Sequence, residues 1–221
     1  MKTIHRFLLA AASLFALGVG AHAADVSAPP VYKAPAVPSI NCSIQGCAYI
    51  GAAISESGGS FNVVSTGVSG LTDNNLNLAV EAGYDYFSGN IYLGAEGIFE
   101  YGLIQNGVLP GGGNSSLWGT GAWAKIGYNV ASALGITPAT ATNPISSLFA
   151  TTTPYVDLGI WDRPWGSGFA SGGGAMGWLT PTVSLHVDYI HVNYNNAAVN
   201  PNLNQQTEDM VLGGLDYHFG F

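Results

Sequence analysis

The stretch "LNLAVEAGYDYFSGNIYLGAEGIFEY", running from Leu76 to Tyr101, decides the fold. In its first half Leu76, Leu78, Val80, Ala82, Tyr84 and Tyr86 recur at every second position, with Asn77, Ala79, Glu81, Gly83 and Asp85 between them. Side chains alternate faces along a strand, so one face is apolar and the other polar or small. Ser88-Gly89 reads as a two-residue hairpin turn. Beyond it Ile91, Leu93, Ala95, Gly97, Phe99 and Tyr101 continue the apolar face, opposite Tyr92, Gly94, Glu96 and Glu100.

The same period of two can be followed outward from this hairpin. Six further strands are read at "AYIGAAIS" from Ala48, "WGTGAWAKIGYNV" from Trp118, "PYVDLGIWDR" from Pro154, "FASGGGAMGWL" from Phe169, "VSLHVDYIHVNY" from Val183 and "DMVLGGLDYHFGF" from Asp209. With the hairpin they make eight. Long loops are expected at residues 57–75, 104–116 and 195–208, and short turns at Ser88-Gly89 and Thr180-Pro181-Thr182.

Composition decides which face is inside. Only 8% of the 221 residues are charged, while 48% are hydrophobic and 31 are Gly. An ordinary soluble domain carries roughly 25% charged residues, so a soluble sandwich with its polar face in water fits poorly. A membrane barrel inverts the arrangement, with apolar residues toward lipid and polar or small ones filling the lumen. Tyr84, Tyr86, Phe99, Tyr101, Trp118, Tyr128, Tyr217, Phe219 and Phe221 sit toward strand ends on the apolar face, as in an aromatic girdle. The fold class expected is therefore all-β, an eight-stranded antiparallel transmembrane β-barrel. Lipid offers no hydrogen-bond partner to a strand edge, so strand eight must meet strand one.

The ends of the chain carry addresses. Lys2 and Arg6, the apolar run "FLLAAASLFALGVG" and Ala21-His22-Ala23 read as a signal peptide over residues 1–23, with an uncleaved anchor as the alternative. Residues 24–46, rich in Pro and Ala, read as a periplasmic linker, and 47–221 as the barrel. Without the signal the chain keeps three basic residues, Lys33, Lys125 and Arg163, against thirteen acids, a formal charge of −10. That excludes a nucleic-acid partner, which needs clustered cations. Cys42 and Cys47, in an exported segment, form a disulfide or remain as two thiols.

The alternate face collects Glu81, Asp85, Glu96, Glu100, Lys125, Asp157, Arg163, His186, Asp188, Asp216 and His218 as an expected lumen network, alongside inward Tyr92, Trp123 and Tyr155. If Ser88-Gly89 closes the turn, Glu81 and Glu96 stand directly opposite one another and repel. Lys125 on the adjoining strand is then expected between them, or one carboxyl holds a proton. The network either fills the lumen or forms a cation site or charged constriction. No cofactor and no metal are expected. "TDNNLN" begins like a calcium loop at Asp73, but Leu78 stands where that loop needs Gly and Tyr84 where it needs Glu. His186, His191 and His218 invite a Ser-His-acid hydrolase reading, but no Ser is convincingly placed near them. The chain is not expected to be an enzyme.

The sequence resembles the small outer-membrane barrel proteins of alphaproteobacteria, porin-like relatives of the OmpA-like transmembrane domain. The resemblance rests on "ADVSAPPVYKAPA" after the signal, "YIGAAI", the hairpin "VEAGYDYFSGNIYLGAEGIFEYG", "KIGYN", "VDYIHVNY" and the ending "LGGLDYHFGF". It implies the outer membrane of a Gram-negative cell and a terminal aromatic signal, Tyr217, Phe219 and Phe221, read by the barrel-assembly machinery. Its implied partners are outer-membrane lipid and lipopolysaccharide, that machinery and, weakly, a second copy of the chain. The function expected is structural, envelope-stabilising or surface-interacting, with at most a narrow channel. The alternatives are binding or uptake of a small ligand such as haem, or a passive porin. Two features depart from the family: "ASALGITPATATNPISSLFATTT", from Ala131 to Thr153, is long where a short inner turn belongs, and Pro164 to Gly168 is short where a long outer loop belongs. Either the inner turn carries an insertion or the strands between 118 and 180 are miscounted.

Overall fold

The structure, a computed structural model, describes residues 46–63, 68–106, 118–130, 148–164, 166–194 and 203–219. The expected signal segment, nearly all of the linker with Cys42, and Phe221 lie outside the described residues. The strands are β1 (Cys47–Val63), β2 (Val68–Ser88), β3 (Ile91–Asn106), β4 (Trp118–Tyr128), β5 (Thr153–Arg163), β6 (Gly166–Trp178), β7 (Val183–Tyr194) and β8 (Leu203–Phe219). Each pairs antiparallel with its neighbour in sequence, and β8 closes on β1 through Ala48 opposite Phe219 up to Val63 opposite Leu203. Every described strand is therefore paired on both sides, the condition that a hydrocarbon solvent imposes. No helix among the described residues is long and apolar enough to cross a membrane, so any crossing is made by the strands.

The wall is two-faced throughout. Ile54, Val80, Phe99, Ile126, Ile160 and Val187 are exposed on the outside, whereas their chain neighbours point into a buried interior. Toward the end where β1 starts and β8 finishes, here the lower end, the exposed face turns aromatic with Tyr84, Tyr128, Tyr217 and Phe219. Toward the upper end it carries Tyr101, Trp118, Phe169 and Tyr189 together with polar groups: Tyr189 donates to Asp209 at 2.7 Å, and His191 Nδ1 lies 2.7 Å from the same carboxylate oxygen. An apolar band with aromatic and polar rims is how a barrel wall meets a bilayer.

Two expectations are corrected and one open alternative is settled. The lower turn between β2 and β3 is Gly89-Asn90, with Ser88 opposite Ile91. Gly89 takes φ +61°, the left-handed conformation that a tight hairpin requires at its first central residue. This slides the register by two residues, so Glu96 faces Gly83 and Glu81 faces Ile98 rather than each other. A slip of two preserves the faces and changes only who stands opposite whom.

The second correction concerns the upper loops. Residues 57–63 and 68–75 are strand, paired from Ser57–Asn75 to Val63–Val68, and β8 begins at Leu203. The period of two fades there because a wall that has risen above lipid no longer needs an apolar exterior. The settled alternative concerns the departure between 118 and 180. The strand count stands at eight, so the extra residues are an insertion at the lower end between β4 and β5. Its described end is a helical turn, Leu148–Ala150, from which Thr151 Oγ1 accepts the Trp178 backbone N–H at 2.8 Å. Residues 131–147 lie outside the described residues.

Candidate functional site

All eleven residues expected in the lumen are buried in the barrel interior. They divide into an upper and a lower cluster, separated by a layer of tryptophans. In the upper cluster Arg163, from β5, spans the lumen: its Nη2 lies 2.7 Å from Glu100 Oε2 on β3 and 2.5 Å from Glu208 Oε1 on β8. Its Nε reaches Glu208 Oε2 at 3.3 Å. Glu100 also accepts from Ser55 and, at 2.9 Å, from Asn77 Nδ2, while Glu208 accepts from Tyr194. The planar guanidinium can engage two carboxylates because its donors diverge in one rigid fork.

Below this, Trp123 and Trp161, on the neighbouring strands β4 and β5, stack inside the barrel with ring centroids 5.5 Å apart and an interplanar angle of 20°. The Arg163 guanidinium sits 5.0 Å from the Trp161 ring. Room for the pair comes from Gly121, where a Cβ would lie 2.4 Å from Trp161 Cε3 and 2.7 Å from Trp123 Cζ3. Trp123 Nε1 donates downward to Glu96 at 2.6 Å, linking this layer to the lower cluster.

Lys125 pairs with Glu96 at 2.7 Å, and Tyr49 donates to the same carboxylate at 2.5 Å. Glu81 is held separately by His186 Nε2 at 3.2 Å, so Lys125 does not bridge the two glutamates as expected. The two-residue register change separates those carboxylates and gives each its own partner. His186 Nδ1 lies 2.6 Å from Asp188 Oδ2, and Tyr155 donates to Asp188 Oδ1 at 2.6 Å. Asp85 accepts from Tyr92 at 2.8 Å. Asp157 faces Lys125 in the register, and neither of its oxygens has a hydrogen-bond partner among the described residues. Replacing Lys125 with Met is expected to destabilise the refolded barrel by roughly 1.5–3 kcal/mol, the range for a charged hydrogen bond, because Glu96 keeps two other donors. An unchanged denaturation midpoint in micelles would overturn this.

His218 stands between Ser184 Oγ, 2.9 Å from its Nε2, and Asp85, 3.6 Å from its Nδ1. A serine is thus placed beside a histidine, as the sequence did not reveal. Ser184 has 0% exposure and also donates to Asp216 at 3.2 Å, so an acyl substrate has no approach to its hydroxyl. The trio acts as polar packing beneath Tyr49 and Trp178, which flank the His218 ring. Cys47 is disulfide-bonded, and its Sγ lies 3.5 Å from His218 Nδ1.

Sequence reasoning missed Glu208, Tyr194, Trp161, Tyr49 and Ser184 as members of the interior. Glu208 keeps the even phase of Asp216 and His218, and extending that alternation upstream of Asp209 would have found it. Tyr217 and Phe219, by contrast, are exposed on the outer face.

No protein-family model and no curated protein sequence matches the chain. Solved structures do resemble it. Neisserial surface protein A is 14% identical, covering 78% of this chain and 97% of its own, with a TM-score of 0.46. Ail, the attachment invasion locus protein of Yersinia pestis, is 11% identical over 79% of this chain and 99% of its own, with a TM-score of 0.42. The outer membrane protein OprG from Pseudomonas aeruginosa is 11% identical over 80% and 97%, with a TM-score of 0.36. At such identities the likeness is one of architecture.

Proposed function

We propose that the chain is an integral outer-membrane barrel with a closed lumen, whose role is structural or lies in what its upper loops present, rather than in passing solutes. The observation that carries this reading is the occupied interior. Arg163 reaches from β5 to carboxylates on β3 and β8, His186 reaches from β7 to Glu81 on β2, and the buried rings of Trp123 and Trp161 lie between these levels. An eight-stranded barrel is only wide enough to be filled by such side chains. The passive-porin alternative needs a continuous water path through these levels, and the haem alternative needs room for a macrocycle where these side chains stand.

An outer-membrane address within the alphaproteobacterial family would supply lipid and lipopolysaccharide around the exposed apolar band. It would also make Tyr217, Phe219 and Phe221 the signal for the assembly machinery. Planar-bilayer recording tests the closed lumen. The refolded chain without its signal segment is expected to give no conductance steps above the bare bilayer, and steady ion-selective steps would overturn the reading.

A further inference from the structure

The lower cluster contains a set of groups that the polar network leaves incompletely paired. We propose that Glu81, His186 and Asp216 bind a divalent transition metal in the lower lumen.

One ligand atom from each residue, on β2, β7 and β8, lies within 4.8 Å of the others. Metal–ligand bonds of about 2.0–2.2 Å put ligand atoms roughly 3–4 Å apart, so small torsional adjustments close the set around an ion. Glu81 Oε2 and Asp216 Oδ1 have no hydrogen-bond partner among the described residues, although Glu81 is only 2% exposed and Asp216 5%. A buried carboxylate oxygen without a partner is costly in a lumen shielded from water. A cation between the two oxygens removes that cost.

The histidine is oriented for the task. Its Nδ1 lies 2.6 Å from Asp188 Oδ2, which leaves Nε2 directed at Glu81, 3.2 Å away, and at Asp216, 4.0 Å away. A carboxylate on one imidazole nitrogen that fixes the tautomer and presents the other is the usual outer shell of a metal-binding histidine. The backbone also leaves space for the ligands. A Cβ on Gly51 would lie 2.1 Å from Asp216 Oδ1, and one on Gly214 would lie 2.3 Å from His186 Nε2.

Charge points the same way. The lower lumen buries the carboxylates Glu81, Asp85, Glu96, Asp157, Asp188 and Asp216 beside one lysine, Lys125, which is engaged by Glu96. One imidazole nitrogen and two carboxylates suit Zn²⁺, Mn²⁺, Fe²⁺ or Co²⁺ better than Ca²⁺ or Mg²⁺, which favour all-oxygen sets. Three protein ligands leave a further position to water. This inference needs only the closed barrel. A barrel that conducts would overturn the proposed function and leave the site standing, and the reverse also holds.

Because the ligands are enclosed, the metal is supplied during refolding. The full chain without its signal segment is refolded in detergent with Zn²⁺ or Co²⁺, passed over a chelating resin and analysed by elemental mass spectrometry. About one metal per chain is expected, as for a dedicated site, with visible Co²⁺ absorption of nitrogen–oxygen coordination. Glu81→Gln and Asp216→Asn are expected to lose the bound metal. Asp188→Asn, acting through the imidazole, should weaken affinity roughly 10–100-fold. His191→Gln, which alters the exterior His191–Asp209 pair, should retain metal. Should the lumen variants fail to refold, the stoichiometry and Co²⁺ spectrum of the unaltered chain decide alone. Retention below roughly 0.1 metal per chain, or equal retention after Glu81→Gln and Asp216→Asn, would overturn the proposal and leave His186 as a hydrogen-bonded link between Glu81 and Asp188.

Discussion

Replacing Arg163 with Met is expected to destabilise the refolded barrel by roughly 3–5 kcal/mol, the cost of removing one partner from a buried ion pair. Arg163 is 4% exposed and sits between Glu100, fully buried, and Glu208. Without the guanidinium, two carboxylates face each other in the upper lumen, where the described residues Ser55, Asn77 and Tyr194 offer them neutral donors. Two controls separate charge from packing. Arg163→Lys should lose less than Met but more than nothing, because a single ammonium cannot reproduce the fork that meets both acids. The triple variant with Glu100→Gln and Glu208→Gln should recover much of the loss, since neutralising all three members removes the unpaired buried charge. The measurement is the denaturant midpoint in micelles. An unchanged midpoint in Arg163→Met, or no recovery in the triple variant, would show that the network does not stabilise by charge pairing.

Trp161→Ala is expected to cost roughly 3–5 kcal/mol through a different mechanism, the cavity left by a large buried side chain. The indole is 1% exposed, stacks on Trp123 and lies under the Arg163 guanidinium. Its Nε1 has no hydrogen-bond partner among the described residues, so the loss comes from packing and not from a broken hydrogen bond. Trp161→Phe should therefore restore most of the stability. Gly121→Val attacks the same contact from the other side, because its Cβ would meet the Trp161 ring. Equal stability of Trp161→Ala and the unaltered barrel would mean that the stack does not support the wall.

Much of the wall was legible in the sequence because it meets a uniform solvent. Leu78, Val80, Leu93 and Phe99 are apolar on their own account, whichever strand lies beside them, and the period of two assigns their faces without tertiary information. The upper parts of β1 and β2 were illegible for the same reason in reverse. "SGGSFNV", from Ser57 to Val63, carries no alternation because there is no apolar surroundings to match. Glu208 was lost with that zone, although it completes the upper network.

What the sequence by itself determined is the eight-stranded wall, its lipid-like exterior and the list of polar residues turned inward, since these follow from local alternation and composition. What only the tertiary structure decided is their pairing. Glu81 meets His186 across 105 residues, and Arg163 meets Glu208 across 45. Such partners depend on the stagger of every intervening strand and on whether the turn is Ser88-Gly89 or Gly89-Asn90. A slip of two leaves every face unchanged, so alternation cannot detect it, yet it moves each lumen charge to a new neighbour.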